Sequence, residues 1–62
     1  MKPQIGDIWY NRFKKYHYLI LQDDVDIGMN SGLQGYRMLI LERGILDSAW
    51  LEHFNAQCKF VC

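Results

Sequence analysis

A seven-residue segment occurs twice in this chain, and the repeat limits the folds open to it. Tyr16–Gln22 recurs as Tyr36–Glu42, twenty residues later, and both copies contain Leu-Ile-Leu. Short runs of aromatic, leucine and β-branched residues that are bounded by Asp, Asn, Ser and Gly predict strands. Because consecutive strands are usually neighbours in a sheet, we expect the two copies to pair with each other.

Both copies carry apolar residues on both faces of the predicted strand. Successive residues of a strand point to opposite faces, so Leu19 and Ile20 face opposite ways, as do Leu39 and Ile40. A strand that is apolar on both faces lies in a closed barrel, in a strongly bent sheet, or in a sheet covered by a partner. We therefore expect all four side chains to be interior.

The length of the chain predicts one small domain, residues 1–62. A single core of this size supplies a net stability of only about 3–5 kcal/mol. Half of the residues are apolar, and they include three Phe, four Tyr and two Trp. So many apolar groups on so small a body predict exposed patches or a dimer interface, which favours self-association.

Charge and cysteine content indicate a soluble protein of a reducing compartment. Seven Lys plus Arg balance seven Asp plus Glu, which weighs against binding to a phosphate backbone. We expect no membrane span and no signal peptide. In a strand, Cys58 and Cys62 would lie about 13 Å apart, beyond the roughly 7 Å that a disulfide allows, so free thiols are expected.

The sequence predicts five strands joined by turns of different lengths. The linker Asp23–Gly35 is rich in turn residues and is long enough to be a mobile or functional loop. Gly44 suits a tight turn with positive φ. The predicted strands are Ile5–Tyr10, Tyr16–Gln22, Tyr36–Glu42, Ile45–Trp50 and Gln57–Val61.

A short helix is predicted between the last two strands, and its start is left open by the sequence. Leu51–Asn55 could form one helical turn, with Asn55 at its end. Alternatively, Asp47 or Ser48 could cap a slightly longer helix that begins at Ala49.

This pattern of elements resembles the small SH3-like barrels. Ile5–Trp9 is similar to the Gly-Asp-hydrophobic start of many of them, and the segment 36–52 resembles the end of small uncharacterised barrels encoded by bacteriophages. The resemblance implies an all-β, five-stranded SH3-like barrel with one helical turn before the last strand, in the host cytoplasm. The tail departs from that pattern, since it continues for ten residues past Glu52.

The chain also resembles the plasmid-maintenance toxins that share this barrel, over the first strand only. The residues that would carry their nuclease activity have no counterpart here, and no functional residue carries over from any of these families. We expect a protein that is not an enzyme, with no cofactor and no small-molecule substrate.

A basic and aromatic cluster is the best candidate for partner binding. Its cations could contact phosphates while its aromatic rings stack on unpaired bases. The alternative is a solvated hairpin loop whose aromatic rings close the end of the barrel. The candidate partner-binding residues are Arg12, Phe13, Lys14, Lys15, Tyr16 and Tyr18, together with Trp50.

Trp9 and Trp50 suggest a second kind of site, a groove for a proline-rich peptide. Aromatic side chains line the grooves that dock polyproline helices. Aromatic content alone is not specific, and the alternative is that one or both tryptophans belong to the core.

The acidic residues Asp23, Asp24 and Asp26 suggest a calcium loop, but their spacing fails. Counted from Asp24, an EF-hand needs Gly at the sixth position and Glu at the twelfth. Met29 and Gly35 stand there instead. A solvated acidic loop is the better interpretation.

Zinc binding and cysteine catalysis are also disfavoured. His17, His53, Cys58 and Cys62 are the right residue types for zinc, but they lack a Cys-x-x-Cys pair. Cys58 beside His53 is conceivable as a nucleophile and base, without a recognisable third group. The sequence therefore favours a non-catalytic module that binds a protein partner or itself. Binding of single-stranded nucleic acid is the alternative, and a steep dependence on salt would distinguish it.

Overall fold

The computed structural model describes residues 2–26 and 34–62, which form one antiparallel sheet and one short helix. The sheet has the strand order β4-β3-β2-β1-β5. Five strands with a helix before the last one agree with the prediction, but the sheet is open, with β4 and β5 at its two edges. The elements are β1 (Ile8–Asn11), β2 (Tyr16–Asp26), β3 (Gln34–Ile40), β4 (Ile45–Trp50), α1 (Leu51–Gln57) and β5 (Cys58–Phe60).

The two copies of the repeat are neighbours, as predicted. They form the central hairpin pair of the sheet, β2 with β3, and Leu19 lies directly opposite Leu39. On either side of this pair, Tyr18 is opposite Ile40 and Ile20 is opposite Met38.

The predicted linker Asp23–Gly35 is wrong at both ends. β2 continues through Asp26, which is opposite Gln34 in β3. The pairing of β2 with β3 shifts register twice, between Ile20 and Gln22 and again between Gln22 and Val25. Such irregularities let a strand bend, so β2 can continue past its apolar part. The rest of the predicted loop, 27–33, lies outside the described residues, and so does the prediction of its mobility.

Three other predicted boundaries also differ from the structure. Ile5 and Gly6 form a turn before β1, because Asp7 accepts a hydrogen bond from the backbone of Gln4 at 2.9 Å. Leu41 and Glu42 belong to the turn after β3 rather than to the strand. At the end of the chain, β5 is limited to the three residues that pair with β1.

The two four-residue hairpin turns, 12–15 and 41–44, share two backbone features. In the first, the N–H of Lys15 donates to the carbonyl of Asn11 at 2.8 Å; in the second, the N–H of Gly44 donates to Ile40 at 2.7 Å. The last residue of each turn has positive φ, 62° at Lys15 and 67° at Gly44. The prediction for Gly44 is confirmed, whereas the sequence around Lys15 gave no sign of a left-handed residue.

Helix α1 begins directly after β4, with Trp50 at the N-cap and no side-chain cap. The alternative helix that begins at Ala49 is therefore wrong, because Ala49 is paired with Tyr36 in the sheet. At the other end, the guanidinium of Arg12 donates to the carbonyls of Ala56 (2.8 Å) and Gln57 (3.4 Å). Arg12 thus satisfies carbonyls that a helix C-terminus leaves unpaired.

The core lies between the sheet and α1. Phe54, the buried residue of the helix, contacts three rings of the sheet: Trp9 and Tyr36 at 5.3 Å between centroids and Tyr18 at 5.8 Å. The sheet face that carries these rings is called the inner face below. Its other buried hydrophobic residues are Ile20, Met38 and Ile40.

Within the described ranges, no helix has the length and apolar character that crossing a membrane requires.

Candidate interaction surfaces

The face of the sheet that points away from α1, the outer face, carries an aliphatic row across four strands. Ile8 is opposite Leu19, Leu19 is opposite Leu39, and Leu39 is opposite Leu46. Leu46 is 64% exposed, and the other three are half-buried. A solvated face of an antiparallel sheet normally carries polar side chains at these positions, so the row is an unusual feature.

Leu19 and Leu39 are therefore not interior, which corrects the prediction for the repeat. Ile20 and Ile40 are buried on the inner face as expected, but their leucine neighbours face outward. Leu41 follows the same alternation and is 44% exposed. The Leu-Ile-Leu pattern is apolar on both faces, although within residues 2–26 and 34–62 a helix covers the inner face only.

Polar residues border the aliphatic row on one side. In the register of the sheet, Gln22 is opposite Arg37, and Arg37 is opposite Ser48. An apolar centre with a polar rim is the usual composition of a protein–protein interface.

A second polar border lies on the other side of the row. The Tyr10 and His17 rings are 4.9 Å apart, and Lys59 Nζ lies 5.9 Å from the Tyr10 ring centroid. Glu42 accepts the backbone N–H of His17 at 2.7 Å and contacts His17 Nδ1 at 2.5 Å. These two hydrogen bonds hold the pKa of the Glu42 carboxyl below its ordinary value of 4.5.

A pocket of about 410 Å³ opens on the inner face, between β4, α1 and the 12–15 turn. Ala49 and Trp50 line it from β4, Phe54 and His53 from α1, and Lys14 from the turn. Trp50 is 49% exposed, and its position opposite Gly35, two residues after Ser48, places its side chain on the outer face. The aromatic rings of Tyr18 and Phe54 line the pocket together with charged and polar groups.

Asn11 organises the polar end of this pocket. Its side-chain oxygen accepts the backbone N–H groups of Phe13 and Lys14, both at 2.9 Å, which shapes the turn. Its amide nitrogen donates to the Tyr18 hydroxyl and to Gln57, both at 3.3 Å. Because Asn11 is only 2% exposed, these four bonds compensate the burial of its amide.

The Tyr18 hydroxyl is neutral and donates within the protein. Burial, followed by the hydrogen bond with Tyr16, raises the pKa of Tyr18 well above its ordinary value of 10. The hydroxyl is 3.3 Å from Asp47 Oδ2, and Asp47 Oδ1 accepts the Ser48 N–H at 2.8 Å. Both carboxylate oxygens of Asp47 therefore have partners inside the molecule.

Cys58 lies at the inner end of the pocket as a protonated thiol. Burial raises the pKa of Cys58 to about 11, although the positive charges of Arg12 and Lys14 oppose the shift. A protonated thiol is a poor nucleophile at neutral pH. His53 lines the same pocket and is exposed.

Some residues of the predicted basic and aromatic cluster are exposed on the 12–15 turn, and others are held by contacts within the fold. Phe13 is 69% exposed, and Lys14 and Lys15 are exposed beside it on the turn. Arg12 is bound to the end of α1, and Tyr16 is half-buried against the Tyr18 ring, with centroids 5.2 Å apart.

The remaining predicted residues come together in the pocket. Tyr18, with only 3% of its surface exposed, cannot offer its ring to a partner, but it lines the pocket with Lys14 and Trp50. Trp9 is 5% exposed and belongs to the core, so the groove between Trp9 and Trp50 is wrong. The indole N–H of Trp9 has no hydrogen-bond partner among the described residues.

The residues considered for metal binding are separated in the described parts of the chain. His17 is paired with Glu42 on the outer face, whereas Cys58 is buried and Cys62 is exposed, both as free thiols. Asp23 lies in β2, as does the backbone of Asp24 and Asp26. No group of three potential ligands occurs within residues 2–26 and 34–62.

Two features of these surfaces were not predicted from the sequence. The role of Asn11 is one, although Asn at the start of a turn commonly bonds to the backbone that follows it. The aliphatic row depends on strand register, which joins Ile8 and Leu46 to the repeat and is not visible in either segment alone.

Comparison with models of protein families, with curated proteins and with solved structures finds no match to this chain.

Proposed function

We propose that this protein is a non-catalytic interaction module that self-associates through its outer face. The observation that supports the proposal is the aliphatic row formed by Ile8, Leu19, Leu39 and Leu46. These residues are successive cross-strand partners on four neighbouring strands. Complete burial of an exposed aliphatic side chain contributes about 1.5–3 kcal/mol. Leu46 can gain most of this on association and the three half-buried residues a part of it, so covering the row is favourable.

A second copy of the chain is the partner that this surface suits best. The row is continuous and bordered by polar residues on both sides, so a two-fold arrangement can place apolar groups on apolar groups and leave the polar borders at the rim. Formal net charge is zero, so two copies meet without strong overall repulsion. A different protein with a similar apolar face would use the same row.

We also propose that the fold is an SH3-like barrel, as the resemblance to bacteriophage barrels implies. The order of the strands supports this: a four-stranded meander is followed by α1 and by a fifth strand that returns to β1. The register shifts in β2 provide the bend that a barrel requires. Closure between the edges β4 and β5 would distinguish a barrel from an open sheet.

Leu46→Lys tests the self-association, with Ile45→Lys as its matched control. Both residues are exposed on β4 and adjacent, but only Leu46 belongs to the row. Because Lys in the row loses the apolar contact and desolvates a charge, the dimer dissociation constant should rise at least about tenfold in Leu46→Lys. Sedimentation equilibrium measures it, and Ile45→Lys should stay within about twofold of the parent.

Two results would contradict this proposal. One is a parent protein that remains monomeric at about 1 mM, a concentration at which even weak association of about −4 kcal/mol is visible. The other is equal weakening by both lysine variants, which would place the interface at the β4 edge rather than on the outer face. Thermal melting of both variants excludes unfolding as the cause.

Binding of single-stranded nucleic acid remains the second candidate, because Phe13, Lys14 and Lys15 are exposed together on the 12–15 turn. The commitment of Arg12 to α1 and the burial of Tyr18 leave fewer groups for this role than the sequence predicted. Affinity for labelled single strands that falls steeply with salt would favour it.

A further inference from the structure

Strand β4 forms one edge of the sheet and presents backbone groups that have no partner strand in the described part of the chain. Within residues 2–26 and 34–62, β4 pairs with β3 alone. The side chains of Leu46, Ser48 and Trp50 are all exposed, so solvent reaches this strand. An edge of this kind can accept a further strand through its backbone N–H and C=O groups.

A hydrogen bond of Ser48 shows which residues of β4 face the open edge. Its N–H donates to Oδ1 of Asp47 at 2.8 Å and not to β3. Because alternate residues of an antiparallel strand bond to the same neighbour, the N–H groups of Leu46 and Trp50 point to the same side as that of Ser48. The backbone of these three residues therefore forms the surface that a further strand would meet.

The carboxylate of Asp47 caps the centre of this edge. Asp47 is opposite Met38, so its side chain starts from the inner face, yet Oδ1 reaches the N–H of the next residue. The other oxygen, Oδ2, is 3.3 Å from the Tyr18 hydroxyl, which holds the carboxylate in place. A charged side chain that points inward from an edge strand is one way in which sheet proteins block pairing between edges. An incoming strand must displace this carboxylate from the Ser48 N–H.

A second copy of β4 fits the edge when it is antiparallel and centred on Ser48. The two Ser48 residues then exchange backbone hydrogen bonds, and the N–H of each Trp50 reaches the Leu46 carbonyl of the other copy. On the outer face, Leu46 of one copy lies opposite Trp50 of the other, which makes an apolar pair across the junction. On the inner face, Asp47 lies opposite Ala49, so the two carboxylates do not oppose each other.

The neighbouring registers are less favourable. Pairing centred on Asp47 places the two carboxylates directly opposite each other, and like charges in that position destabilise a sheet. Pairing centred on Ala49 extends beyond the strand, because α1 begins at Leu51. The Ser48 register also continues the outer-face row, since Leu46, its last residue, is followed by Trp50 of the other copy.

We propose that the β4 edge is a second self-association surface, at which two copies pair antiparallel around Ser48, and that the Asp47 carboxylate restrains this pairing by capping the Ser48 N–H. Another copy is the partner because the register matches the strand to itself. Edge pairing uses backbone groups of β4, whereas the outer-face contact uses side chains that include those of the central strands. Neither association requires the other.

Asp47→Ala tests the proposal on the full chain, because it removes the cap and leaves the Ser48 N–H open to a partner. The Tyr18 hydroxyl keeps Asn11 and Tyr16 as neighbours, at 3.3 Å and 3.4 Å, so the core should remain folded. In sedimentation equilibrium, the dimer dissociation constant should fall at least about tenfold relative to the parent. Asp47→Val repeats the test with a residue that favours strands and also lacks an acceptor.

A second substitution shows whether the backbone of Ser48 makes the contact. Ser48→Pro, added to Asp47→Ala, removes the N–H at the centre of the pair. Because that N–H does not donate to β3, proline is compatible with this edge position. The dissociation constant should return to that of the parent or rise above it. Ser48→Ala in the same background is the matched control, since it keeps the N–H and should retain the gain of about tenfold.

Intermolecular nuclear Overhauser effects distinguish this surface from the outer face. In Asp47→Ala, a mixture of ¹³C-labelled and unlabelled protein should give a signal between the α-proton of position 47 in one copy and that of Ala49 in the other. Residues opposite each other in a non-hydrogen-bonded pair bring their Cα atoms to about 4.5 Å. Association through the outer face gives signals at the methyl groups of Leu19 and Leu39 instead.

Two results would overturn the proposal. One is that Asp47→Ala and Asp47→Val, folded by circular dichroism, associate no more tightly than the parent. The other is that Ser48→Pro leaves the tighter association of Asp47→Ala unchanged. A signal between positions 47 and 49 without signals at Leu19 and Leu39 would support edge pairing and contradict the outer-face association, so the two proposals fail separately.

Discussion

Single residues of the repeat differ in burial, and therefore in their contribution to stability, according to the face of the sheet on which they lie. Ile20 is 1% exposed and lies in the core, whereas Leu21, its neighbour in the same Leu-Ile-Leu, is 37% exposed. The two side chains are similar in size and hydrophobicity, so their positions decide what each contributes to stability.

Ile20→Ala should lower the free energy of unfolding by about 2–5 kcal/mol, because it leaves a cavity in a packed core. Leu21→Ala should lower it by less than about 1 kcal/mol, since its side chain is already partly in water. Urea unfolding followed by circular dichroism measures both. Equal losses in the two variants would mean that the inner and outer faces are assigned incorrectly.

At the scale of elements, sequence patterns predicted the type of each strand better than its limits. β4 has the predicted bounds, and the central pair follows from the repeat. The extension of β2 through Asp26 was not predictable, because Asp is disfavoured in strands and the pairing with β3 overrides that preference. Of the two helix starts that the sequence left open, Leu51 is the one observed, because β4 holds Ala49 in the sheet although Asp47 and Ser48 are good helix caps. The end was wrong, since α1 continues to Gln57 instead of ending at Asn55.

The two hairpin turns provide a further test, because both end on a residue with positive φ but the residue is Lys15 in one and Gly44 in the other. Gly44→Ala should lower the unfolding free energy by about 1 kcal/mol, since a Cβ there meets no atom within 4 Å and only the backbone conformation is unfavourable. Lys15→Gly should raise it by up to about 1 kcal/mol, because glycine adopts φ near 62° without strain.

Thermal and urea unfolding measure both turn variants. Loss of stability in Lys15→Gly similar to that in Gly44→Ala would show that the Lys15 side chain contributes more than its backbone conformation costs. In that case, the two turns would not be equivalent.

For the whole molecule, the sequence predicted the number and type of the secondary-structure elements. It did not predict which residues come together on each face of the sheet. A strand apolar on both faces was compatible with a closed barrel, a bent sheet or a covered sheet, and no single segment distinguishes these. The structure shows an open sheet whose inner face is covered by α1 and whose outer face carries the aliphatic row. Likewise, the pocket joins Lys14, Tyr18 and Trp50 only because the chain returns through α1.

If a second copy covers the outer face, intermolecular nuclear Overhauser effects will detect the contact. A sample that mixes ¹³C-labelled and unlabelled protein reports only contacts between copies. Association through the outer face predicts intermolecular signals at the methyl groups of Leu19, Leu39 and Leu46, and none at the buried methyl groups of Ile20 and Ile40. A sample without intermolecular signals at about 1 mM, or with signals confined to the pocket, would contradict it.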